Sequence, residues 1–150
     1  MSSLIVRNTI KSFITTNLPL EKLVDLSGEF DHLNDLLAHN RVTGQMNWIG
    51  IQFIGNSETT TSLNANNSAG CYRELGTIIL NIVDVSRVGV ASKILLRAEI
   101  CRNLFRGRNI SGIRIEEVSP PNFSDGATLN FEGKYTSASI YIGYESDLNL

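Results

Sequence analysis

The chain has 150 residues, 42% hydrophobic and 19% charged, with a formal net charge of −2. That is enough for one domain with a core of its own, and no charge excess draws it toward nucleic acid or an anionic membrane. The longest apolar run, Trp48 to Ile54, is too short to span a bilayer and is interrupted by Gly50 and Gln52. The opening Met-Ser-Ser-Leu-Ile-Val-Arg lacks the basic region and apolar stretch of a signal peptide, so none is expected. Two cysteines, Cys71 and Cys101, and two histidines, His32 and His39, do not supply the closely spaced ligands of a structural zinc site. The cysteines read as buried thiols, although their spacing leaves a disulfide open.

Residues 3–18 predict an amphipathic helix. Val6, Ile10, Phe13 and Ile14 fall within roughly a 100° arc at helical pitch, and Asn8, Ser12, Thr15 and Thr16 occupy the other side. Ser2 or Ser3 is the candidate N-cap, and Pro19 stops the helix. From Leu20 to Asn40 the chain is acidic and weakly helical, broken at Ser27-Gly28, and reads as two short helices or a helix and a turn. The segment 1–45 is therefore expected to be a helical lead-in to a sheet-and-helix core over 46–150.

Met46 to Gly55 alternates as a strand, with Ile49, Ile51 and Phe53 on one face. The next residues, Asn56 to Gly70, hold almost nothing that could be buried, which predicts a mobile loop or a hairpin extension. Thr77 to Val85 is β-branched and nearly continuous, the pattern of a central strand covered on both sides. Ile110 to Val118 and Thr136 to Tyr144 alternate as two more strands, with a possible short one at Thr128 to Phe131, and the tail from Glu145 onward is expected to fray.

Val90 to Arg106 predicts one long helix with two apolar stripes. Ile94, Ala98, Cys101 and Phe105 form the stripe that must lie on the sheet. Leu96, Ile100 and Leu104 form a second, roughly 120–140° round the axis, which the same sheet cannot cover. Its partner is either the N-terminal helix or a neighbouring subunit. The surrounding residues make the chain's basic patch, with Arg87, Lys93, Arg97, Arg102, Arg106 and Arg108 against Glu99. That patch reads either as a surface for phosphate or acidic partners or as a solvated helix face.

Signs of catalysis are few. No glycine-rich phosphate-binding motif is present. Glu116 and Glu117, adjacent on a strand, should point to opposite faces and so not act as an acid–base pair. The reading is of a non-enzyme with no cofactor.

The order of elements resembles the tail terminator (tail completion) proteins of long-tailed bacteriophages. The resemblance is carried by Trp48-Ile49-Gly50-Ile51-Gln52-Phe53, the polar arm, and Tyr72-Arg73-Glu74-Leu75-Gly76-Thr77-Ile78-Ile79-Leu80-Asn81-Ile82-Val83. It continues through Gly89, Leu104-Phe105-Arg106-Gly107, Ile113-Arg114-Ile115 and Ile140-Tyr141-Ile142. The segment Glu21 to Gln45 departs from that pattern in being longer and more helical, which keeps a head–tail connector (stopper) of the same neck as the alternative.

The combined expectation is an α+β domain: a mixed or antiparallel sheet of about four to five strands, an N-terminal helix, one long central helix and an extended polar hairpin arm. What the resemblance implies is a virion protein of the tail–neck region, assembled in the host bacterial cytoplasm. Its copies would form a ring, a hexamer in the family, that caps the tail tube and meets the neck connector, while genomic DNA passes through without sequence-specific binding. No membrane partner is implied. The expected oligomer or tube contacts are Thr59, Thr60, Thr61, Asn64, Asn66, Tyr72, Arg73, Leu96, Ile100 and Leu104. Lys93, Arg97, Arg102, Arg106 and Arg108 form the expected basic surface.

Overall fold

A computed structural model describes residues 4–26, 47–62, 71–85, 88–123 and 135–149. The chain is α+β. Helix α1 spans Leu4–Asn17, strand β1 Leu23–Asp25, β2 Trp48–Ser62 and β3 Cys71–Val85. Helix α2 follows at Val90–Phe105, then β4 Asn109–Ile110, β5 Ile113–Val118 and β6 Tyr135–Asn149. The strands form one six-stranded sheet in the order β1-β2-β3-β6-β5-β4, larger than the expected four to five. It is mixed, because β1 runs parallel to β2 while every other pairing is antiparallel.

The two extra strands are short pieces that periodicity over a long window misses. Leu23-Val24-Asp25 lies in the stretch expected to be helical, yet it pairs with Ile49-Gly50-Ile51 and buries Val24. A three-residue parallel pairing leaves no alternation to detect. The expected single strand from Ile110 to Val118 is in fact a hairpin. Ser111 (φ 51°) and Gly112 (φ 89°) both take left-handed backbone, the requirement of a two-residue turn of the primed type between β4 and β5. The Asn109 side-chain oxygen accepts a bond from the Gly112 amide at 2.9 Å and ties that turn.

One face of the sheet carries the helices and the main core. Ile49, Ile51 and Phe53 of β2, Ile78, Leu80 and Ile82 of β3, and Ala138, Ile140, Ile142 and Tyr144 of β6 point into it. Val6, Ile10 and Ile14 of α1 meet them, together with Ile94, Ala98, Cys101 and Phe105 of α2. Both inward stripes expected from the sequence are therefore buried. Phe13 and Phe105 seal the helix–helix seam edge to face, with ring centroids 5.5 Å apart. Cys101 is a free thiol in this core, and burial pushes its pKa up to about 12.

The central position expected for β3 holds. It pairs along its whole length with β6, from Cys71↔Asn149 to Val85↔Tyr135. The residues expected to fray, Glu145 to Asn149, are thus paired strand. Tyr144 sits opposite Gly76 in that ladder, and its ring lies where a Cβ on Gly76 would be, 2.4 Å from the phenol oxygen. Only glycine lets the ring cross there. The second face is partly buried as well, with Trp48, Asn81, Val83 and Ser139 all covered. There Ser139 Oγ donates to Asn81 Oδ1 at 2.7 Å.

Candidate functional site

The polar arm begins as strand, so the hairpin-extension reading holds for its base. Beyond a bulge between Gly55 and Ser57, β2 continues against β3 with Ser57↔Leu75, Glu58↔Glu74, Thr59↔Arg73 and Thr60↔Tyr72. A second irregularity falls between Thr60 and Ser62, around Thr61. Backbone pairing accounts for strand in so polar a sequence. Asn64 and Asn66 lie outside the described residues, as do His32, His39, Arg87 and the possible strand at Thr128 to Phe131.

Arg73 does not stand free at the base of this arm. Its guanidinium meets Glu145 at 2.6 Å and Asp147 at 3.0 Å, and Arg114 of β5 reaches the same two carboxylates at 3.0 and 3.3 Å. The register dictates this cluster, since Arg73 pairs with Asp147 and Arg114 with Glu145 across three adjacent strands. The hydrogen bond from Arg73 lowers the Asp147 pKa, helped by Arg114. Glu145 is lowered first by a hydrogen bond with Glu116, then by Arg114, and Glu116 is raised by the same bond. The sequence pairing of Glu116 with Glu117 missed this. A bulge between Ile115 and Glu117 re-aims Glu116, and its carboxyl partner comes from a different strand.

The second stripe of α2 divides. Leu96 is 65% and Ile100 48% exposed, whereas Leu104 is half-buried and packs against the core. Helix α1 lies against the inner stripe and leaves Leu96 and Ile100 uncovered. Close to Ile100, the chain leaving α1 forms the wall of a cavity of about 270 Å³ lined by Leu18, Pro19, Leu20, Arg97, Ile100 and Cys101. Leu20 at its rim is 96% exposed.

The basic surface is smaller than expected. Arg97 is only 13% exposed and lies within the fold: Nε and Nη2 donate to the two Glu21 carboxylate oxygens at 2.8 and 2.6 Å. Its Nη1 donates to the Val83 carbonyl at 3.0 Å, and Nη2 also reaches the Trp48 carbonyl at 3.3 Å. This arginine fastens the α1–β1 connection to the strand ends, a role invisible without knowing that Glu21 comes within reach. Arg102 is mostly buried and paired with Glu99 at 2.6 Å. Lys93, Arg106 and Arg108 remain exposed, one near the start of α2 and two beyond its end. Lys93 sits about 20 Å along the helix from the two arginines, so the three make no single phosphate-sized cluster.

No protein-family model matches the chain, and no curated protein matches it. Three solved chains are similar, one of them over the whole length. It covers 100% of this chain and 99% of its own, at 15% identity and a TM-score of 0.54. That likeness speaks to the fold alone, an α+β domain with the same overall course. Among the described residues, no three His, Cys, Asp or Glu side chains converge as a metal site, and no helix is long and apolar enough to cross a membrane. Among the described residues, Leu96, Ile100 and Leu20 are apolar and exposed, and Ile100 and Leu20 line the same cavity.

Proposed function

We propose that the protein is a structural subunit whose copies gather into a ring that caps a phage tail tube, ends its growth and presents a surface to the head–tail connector. The observation that carries the reading is the outer stripe of α2. Leu96 and Ile100, a helical turn apart, are 65% and 48% exposed, and Ile100 shares a cavity with an exposed Leu20, although the same helix buries its other stripe completely. Apolar ground of this kind, contiguous with a cavity, is the usual mark of a protein–protein contact. The paired base of the polar arm adds a second contact, directed at the tube or an adjacent ring. The order of elements that resembles tail terminators supplies the identity of the assembly and its place at the virion neck.

The test adds purified protein to tail tubes that lack a terminator. Negative-stain images should show a disc at one tube end and no further tube growth. In a companion variant an Asn-Gly turn replaces residues 60–72, joining Thr59 to Arg73, which already face each other in the ladder. It should still form rings yet leave tubes uncapped. Wild-type protein that ignores tube ends and binds the neck connector instead would make it a connector; binding to neither would end the reading.

A further inference from the structure

We infer that copies of this chain join head to tail through helix α1, the first-turn pair Leu4 and Ile5 of one copy entering the Leu18–Leu20–Ile100 cavity of the next. The inference rests on the self-assembly reading above and names the two halves of the contact. Leu4 and Ile5 are 71% and 69% exposed, two large consecutive apolar residues left mostly in solvent by the described part of their own subunit. The cavity lies at the other end of the same helix, beyond Asn17. A helix of 14 residues is about 20 Å long, so the pair cannot fill the cavity of its own molecule.

Size, polarity and charge agree. About 270 Å³ accommodates one or two aliphatic side chains, and Leu96 extends the apolar rim one turn along α2 from Ile100. The two charged groups in the wall, Arg97 and Glu21, neutralise each other, so the cavity offers nothing to a charged guest. Helix α1 has no acidic residue in its first turn and no basic residue in its last. No charged side chain of its own therefore opposes the end dipoles, although the Asn17 amide donates to the Phe13 carbonyl at 2.8 Å, and stacking the start of one α1 against the end of another brings opposite partial charges together. Because the two halves are different patches, the contact repeats: it produces a closed ring or a filament and never stops at a symmetric pair.

The experiment uses the full chain in a Cys71→Ser background, with Ile5→Cys and Leu20→Cys introduced together and a short bismaleimide crosslinker. The expected result is a ladder of dimer, trimer and larger species, and a dimer alone when the two single variants are mixed. In parallel, Ile5→Glu and Leu20→Glu should each raise the concentration needed for association, measured by sedimentation velocity, by about tenfold or more. Circular dichroism should show both folded, since both sites are exposed. Absence of the ladder, a ladder that ends at dimer in the doubly substituted chain, or association untouched by either glutamate would overturn the inference. Rings formed by protein that gives no crosslinked ladder would sink this contact and leave the ring reading standing. A full ladder from protein that never caps tubes would do the reverse.

Discussion

The two apolar stripes of α2 are similar in chemistry and opposite in fate. Ile94, Ala98, Cys101 and Phe105 are buried between sheet and α1, while Leu96 and Ile100 face water one-third of a turn away. A helix of the same polarity on both flanks could have been roofed by the N-terminal helix. Instead α1 settles beside it, on the same face of the sheet, and its Phe13 closes onto Phe105. The difference teaches that amphipathic periodicity reports how much surface needs cover but not which molecule provides it.

The contrast breaks most visibly by truncating one residue from each stripe. Ile94→Ala should cost about 3–4 kcal/mol in urea unfolding, the transfer loss plus a cavity that the close-packed core cannot refill. Leu96→Ala should change stability by less than about 0.5 kcal/mol while weakening self-association. Equal losses from the two would mean that the outer stripe is covered within the monomer after all. Next in size is Arg97→Ala, expected to cost about 2 kcal/mol because it leaves the Glu21 carboxylate and two strand-end carbonyls without their donor in a largely enclosed place. Lys93→Ala, on the exposed side of the same helix, should be silent in the same titration.

The elements with strong periodicity were legible in the sequence: α1, α2, the inward faces of β2, β3 and β6, and the Ile113–Ile115 pair all stand where alternation or helical pitch places them. What escaped was set by pairing rather than pattern. Strand β1 is too short to alternate, and its course follows from the edge that β2 offers it. Residues Glu145 to Asn149 look like a polar tail in isolation, yet β3 supplies them a full set of backbone partners. Among the candidate site residues, Leu96 and Ile100 were recognisable as surplus apolar surface. Arg73 and Arg97 were not recognisable as ion-pair members, because their carboxylates lie 72 or more positions away.

The smallest expected effect concerns the charged cluster at the ends of β3, β5 and β6. Glu145 and Asp147 have lowered pKa values, so their contribution is present above the ordinary carboxylate range and fades as pH falls through their folded values. Glu116 is raised by its hydrogen bond with Glu145, so its contribution is present at low pH and is lost as pH rises through its own. Glu116→Gln keeps a donor facing Glu145 at every pH. The variant should melt slightly higher than wild type at neutral pH, and the gap should close in acid, below the range where an ordinary glutamate ionises. A gap that widens in acid would reverse the assignment of which carboxyl holds the proton.

The strand order has a consequence for how the chain is born. Strand β6 lies between β3 and β5, so the β2–β3 hairpin and the β4–β5 hairpin share no edge until the last of these segments arrives. A nascent chain emerging from the ribosome must hold two incomplete half-sheets apart and keep their inner edges from pairing with those of its neighbours. Only insertion of β6 joins the two half-sheets into one, so the six-stranded sheet is completed by the last strand to be made.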